Sequence, residues 1–198
     1  MLHQAANILI GENPRKNLRN RQQGVFMVEF ALVASILALF LMFLSDIVVK
    51  ENTQGHLQRL SYSGVNIIKE RTQLYGRSEK ATNAQFYQLF TLLKNSMKRN
   101  MSEFESDKFN MHLEQELLNC NGSGVCVQVS QSPLFSDGGC TPEKSLRDKK
   151  RELYFKTSRG RPPALYQVTL CYEGQNWYGD LIGKDFSKLR ATSVMMGR

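Results

Sequence analysis

The chain has 198 residues, 41% of them hydrophobic and 22% charged, with four cysteines, three histidines and a formal net charge of +8. That length buries a working core, and the lack of an internal repeat or long low-complexity stretch excludes solenoid and compositionally biased architectures. The charge raises nucleic acid as a partner, while the histidine count leaves little material for catalysis.

Residues 1–24 read as a basic leader. Arg15, Lys16, Arg19 and Arg21 stand against one acid, Glu12, and Gly11, Asn13, Pro14, Asn17 and Asn20 suit a flexible segment. From Val25 to Ser45 runs an apolar stretch whose only charge is Glu29, closed by Asp46. As a helix it rises about 32 Å, matching a hydrocarbon core of about 30 Å. A secretory signal peptide has a shorter apolar region of about 7–15 residues and a small-x-small cleavage site. Leu44-Ser45-Asp46-Ile47 offers no such site. The segment therefore reads as a retained single-pass anchor over 25–49. The positive leader stays cytoplasmic and the rest of the chain is exported. Glu29 is the anomaly, because a charge costs about 2.5–3.5 kcal/mol at the centre of a membrane helix, less near its end. The simple alternative is snorkelling into the headgroup region.

Beyond the membrane the helical pattern continues over 50–76. Leu57, Leu60, Gly64, Ile67 with Ile68, and Leu74 recur at three- and four-residue steps, with Gly76 as a stop. Asn52-Thr53-Gln54-Gly55 could bend this helix or leave a short linker. A second helix is capped by Thr82 or Asn83, and Phe86, Leu89, Phe90, Leu93, Met97 and Met101 form one stripe, read as core. From Phe109 the period falls to two, although Leu117-Leu118 would also fit a helix. Val125 to Val129, Leu153 to Thr157, Leu165 to Tyr172 and Leu189 to Met196 read as strands separated by turn residues. The fold class is α+β: a transmembrane helix extending into an amphipathic helix, a second helix, then a small antiparallel β-sheet stapled by disulfides. Residues 77–198 form the exported domain.

Cys120, Cys126, Cys140 and Cys171 all lie on the exported side, an even count that suits two disulfides with three connectivities. The simplest by proximity pairs Cys120 with Cys126 and Cys140 with Cys171. The spacing disfavours zinc, and no Cys-x-x-Cys redox motif is present. A basic cluster, Arg147, Lys149, Lys150, Arg151, Lys156, Arg159 and Arg161, is interrupted by Asp148 and Glu152 and reads as a solvated loop and strand edge rather than a nucleic-acid surface. No nucleophile elbow, phosphate loop, metalloprotease helix or dinucleotide fingerprint occurs.

Gly24 at the end of a basic leader, followed by Glu29-Phe30 inside the start of the anchor, resembles prepilins cut by an inner-membrane prepilin peptidase. The Gly-x-x-x-x-Glu-Phe spacing is similar to the Tad (tight adherence) branch of type IV pilus systems. The length, four cysteines and large exported part resemble its minor pseudopilins, TadE and TadF, and the stretch Leu60–Tyr75 is more similar to TadF. The resemblance implies cleavage between Gly24 and Val25, and pairing of Glu29 with an N-terminal amine during assembly. Phe30 stands where the major Tad pilin usually has Tyr. The implied partners are the prepilin peptidase, other Tad pilins and pseudopilins, the inner-membrane assembly platform and membrane lipid. No cofactor, metal, catalysis or nucleic acid is expected. The expected role is in pilus assembly and surface adherence, with the C-terminal domain periplasmic. The alternatives are a signal-anchored periplasmic adhesin or binding module, and an anchored enzyme in which His56 or His112 meets an acid or nucleophile.

Overall fold

The computed structural model describes residues 15–70, 80–120, 126–128, 135–136, 139–153 and 163–197, with side chains described for 24–70, 80–117, 139–149, 152–153 and 163–197. The expected helix stop at Gly76, Leu74 and the Lys156–Arg161 part of the basic cluster lie outside the described residues. The chain divides into two compact units, Met1–Ser45 and Asp46–Arg198.

Helix α1 runs from Arg15 to Lys69. It passes through Asn52–Gly55 without a break, because these residues find helical or tertiary partners. Thr53 Oγ1 donates to Val49 O at 2.9 Å, and Gln54 Nε2 donates to Arg190 O at 2.7 Å. Within the second unit Thr53, Leu57, Ser61, Gly64, Val65 and Ile68 are buried, a three- and four-residue spacing that makes one inward stripe. Leu60 packs at its margin, whereas Ile67 points out and is exposed.

Helix α2, Asn83–Asn100, starts with a capping box. Gln85 N donates to Thr82 Oγ1 and Thr82 N donates to Gln85 Oε1, so two amides left over at the helix start are satisfied reciprocally. Phe86, Leu89, Leu93 and Met97 are buried as expected, with Phe90 and Met101 packed beside them. Lys98 and Arg99 sit in the last turn, where the helix dipole favours cations. Gly64 lets α1 approach α2: a Cβ there would lie 3.0 Å from Leu93 Cδ1.

The strands are β1 (Phe109–Glu116), β2 (Leu118–Cys120), β3 (Cys126–Gln128), β4 (Phe135–Ser136), β5 (Leu165–Glu173) and β6 (Lys188–Met196). They form an antiparallel sheet of order β4-β1-β5-β6 and a separate β2-β3 pair. Register pairs Met111 with Leu170 and Leu170 with Ala191, which stacks one apolar face. That face meets α1 and α2 in a single core cluster. Rings of Phe86, Phe90, Phe109, Phe104 and Tyr172 follow one another through it at centroid separations of 5.6–6.3 Å.

Two further helices interrupt the strand order: α3 (Leu146–Leu153) and α4 (Trp177–Ile182). Leu153 therefore ends a helix and does not begin a strand, and the described basic residues 147–151 are helical rather than a loop or strand edge. The cause is a helix start held by one local and one distant partner. Asp148 N donates to Ser145 Oγ, and the buried carboxylate of Glu114 accepts the Leu146 amide at 2.7 Å.

Candidate processing and assembly site

Gly24, Val25, Glu29 and Phe30 all lie on α1. A four-residue step places Val25 and Glu29 on one helix face, about 6 Å apart along the axis. Every side chain from Val25 to Met42 is exposed, Val25 at 59% and Phe30 at 63%. Such a continuous apolar exterior suits hydrocarbon better than water. Among the described residues Gly24–Lys69 is the one helix long and apolar enough to cross a membrane.

Gly24 has no packing duty. A Cβ built on it meets nothing within 4 Å, yet glycine inside a helix costs about 0.5–1 kcal/mol relative to alanine. The two acids that mark the apolar run also differ. Asp46 is buried and takes Lys50 Nζ at 2.6 Å. Glu29 forms no ion pair among the described residues.

In the second unit Cys140 and Cys171 form a disulfide, Cα atoms 5.6 Å apart. Cys120 and Cys126 face each other as register partners on β2 and β3, while their side chains lie outside the described residues. His56 lies half-buried on α1. His112 does meet an acid, its Nε2 lying 3.5 Å from Glu114 Oε1, but both side chains are 6% exposed. Glu114 Oε2 is already engaged by the Leu146 amide and by Gln167 Nε2 at 2.8 Å. Gln167 Oε1 in turn accepts from Lys149 Nζ at 3.1 Å. One member of the basic cluster is thus spent inside the fold. This polar layer escaped the sequence reading. Alternation on β1 reads as a solvated face, whereas α3 covers it. Among the described residues no group of three His, Cys, Asp or Glu side chains is placed to hold a metal ion.

Among the described residues one long apolar helix near the N-terminus suggests a single-pass membrane anchor, and a disulfide-stapled α+β unit follows it in the chain. The chain belongs to the TadF family: the family model described as "Putative tight adherence pilin protein F" matches residues 17–198, nearly the whole chain. Membership makes it a component of a Tad pilus, in a family of structural pilins rather than enzymes, and implies interaction with other Tad pilus components. No curated protein and no solved structure matches the chain.

Proposed function

We propose that this chain is a minor pseudopilin of a Tad pilus, inserted in the inner membrane with its N-terminus cytoplasmic and its C-terminal domain periplasmic. The leader is residues 1–24, the anchor 25–49, the membrane-proximal helix 50–76 and the exported domain 77–198. A prepilin peptidase cuts between Gly24 and Val25. Gly24 favours that reaction because it lacks a side chain and destabilises the helix at the bond to be opened. Its freedom from packing contacts supports a role outside the fold.

Cleavage exposes the α-amino group of Val25. The observation that carries the proposal is Glu29, an exposed acid on an otherwise apolar exterior that forms no ion pair among the described residues. Pairing it with the new amine of a neighbouring pilin offsets the desolvation of both charges and couples processing to assembly. Phe30 beside it offers only apolar contact. The protein then acts in pilus assembly and surface adherence by packing its anchor beside other pilin helices and the assembly platform.

The test is intact-protein mass spectrometry with and without the peptidase. The expected product begins at Val25 only when the peptidase is present, and retention of the leader in both samples refutes the processing step. For assembly, Glu29→Gln is expected to be cleaved normally but to abolish or sharply reduce piliation. Normal piliation by that variant removes the proposed role of the charge.

A further inference from the structure

Strand β6 ends the four-stranded sheet, and its nine residues pair with β5 in an unbroken register, from Lys188 opposite Glu173 to Met196 opposite Leu165. The ladder fixes which way each backbone group points. Gly174 N donates to Ser187 O at 2.8 Å and Gly197 N donates to Ala164 O at 2.6 Å, so the hydrogen-bonded pairs fall on the odd-numbered residues of β6. Leu189, Ala191, Ser193 and Met195 therefore spend their amides and carbonyls on β5. Arg190, Thr192, Val194 and Met196 turn theirs outward. Gln54 Nε2 donates to Arg190 O at 2.7 Å, in agreement with that direction, and among the described residues this is the one hydrogen bond the outward groups make. Natural sheet edges are blunted by a short strand, a proline, a bulge or an inward charge. From Ala191 to Met196 β6 has none of these. Thr192 and Val194 are half-buried and Met196 is exposed, so water reaches the row.

Side chains on the two faces of the sheet add their own preferences. On the helix side Ala191 is buried and Met195 packs on the core, while Ser193 Oγ meets Ser61 Oγ at 2.7 Å. Around α1, at 100° per residue, Gln58 and Tyr62 follow Gln54 by about 40° and 80°, on the side away from Gly64 and α2. Tyr62, which is exposed, thus borders the open edge beside Met195 as an apolar shelf. On the other face stand Lys188 and Arg190. Lys188 has Glu173 across the ladder and lies close enough to help hold Asp185 ionised. Arg190 instead faces Cys171 and forms no ion pair among the described residues.

We propose that the outer edge of β6 takes one added antiparallel strand from another component of the Tad pilus. This interface lies wholly within the Asp46–Arg198 unit and does not depend on cleavage at Gly24 or on Glu29. The edge dictates the chemistry of the incoming strand. Its backbone supplies the affinity, its alternate apolar residues lie on the Tyr62 side, and an acid stands opposite Arg190. A second copy of β6 fits less well, because β6 contains no acid and pairing two of them leaves both Arg190 side chains unanswered.

The probe is a synthetic peptide copying Leu165–Glu173 with Cys171→Ser. Set with its glutamate opposite Arg190, it turns Tyr172, Leu170 and Val168 to the Tyr62 side. Amide hydrogen exchange is followed on the full chain in detergent micelles. Alone, Thr192 and Val194 are expected to exchange fast and Ala191 and Ser193 slowly, and saturating peptide is expected to slow the outward pair by about tenfold or more. Glu173→Lys in the peptide is expected to weaken binding by about three- to tenfold, and Arg190→Glu in the chain to restore it. Val194→Pro removes only an outward N–H, so it is expected to keep Ala191 and Ser193 protected while losing the peptide. In cells, cross-linking followed by mass spectrometry is expected to recover other Tad pilins with Val194→Ala but not with Val194→Pro. Outward amides that are slow in the chain alone overturn the inference, since the edge is then covered from within. Slowing that grows with chain concentration also overturns it, because it places a second copy there. So do outward amides that stay fast with peptide, binding that ignores both charge changes, or Tad pilins recovered equally with Val194→Pro.

Discussion

Removing the Cys140–Cys171 bridge is the perturbation whose size follows most directly from the structure. The bridge closes 31 residues of sequence, and the chain-entropy relation for that loop gives about 3.7 kcal/mol at 25 °C. It ties Cys140, which is buried, to β5, the strand paired with β1 on one side and β6 on the other. Loss of the bridge therefore acts on opening of the whole sheet rather than on one edge. The assay is native-state hydrogen exchange of the full chain in detergent micelles, comparing the native protein with a Cys140→Ala, Cys171→Ala double variant. Amides of Val168 and Leu170 report global opening of the sheet. A loss of about 3.7 kcal/mol corresponds to roughly 500-fold lower protection. Protection within about threefold of the native value would show that the bridge contributes little to holding the sheet, and the reasoning fails.

Two other predictions come from the helix and the loop. Gly55 and Gly64 lie on the same helix, but a Cβ meets nothing within 4 Å at Gly55, whereas at Gly64 it meets Leu93 Cδ1 at 3.0 Å and Val168 Cγ1 at 3.6 Å. Gly55→Ala is expected to stabilise the fold by about 0.5–1 kcal/mol and Gly64→Val to destabilise it by about 1–3 kcal/mol, read by urea titration; effects of the same sign refute the packing account. The Asp185 carboxyl is held below its ordinary range, first by the Ser187 hydroxyl and then by the Ser187 amide. A depressed carboxylate stabilises the loop above its ordinary pKa, and that contribution is lost as pH falls through the depressed value. Ser187→Ala is expected to move the Asp185 titration upward in a carboxyl-carbon NMR series, and an unmoved midpoint refutes the assignment.

Local signals in this chain proved reliable where one interaction dominated. The Thr82 cap and the Phe86–Met97 stripe needed only helical spacing, since the same residues that favour a helix also supply its buried face. The paired strands over Phe109–Glu116, Leu165–Glu173 and Lys188–Met196 were likewise visible in period and turn chemistry. Leu153 misled because the run it opens favours a strand locally, whereas it ends helix α3. Its course was set from elsewhere, by Glu114 capping Leu146.

The anchor and the family resemblance could be read from sequence alone, because a membrane imposes its demand on consecutive residues: enough apolar length, one flank of positive charge and a conspicuous acid at Glu29. Tertiary structure decided matters that depend on residues far apart. It buried the polar face of β1 beneath α3, although alternation alone reads that face as wet. It joined Cys140 to Cys171 out of three possible connectivities. It also carried Phe186 to Lys50, 136 positions away in the chain. Neighbours more than a hundred positions apart are set by packing and register, and no local pattern encodes them.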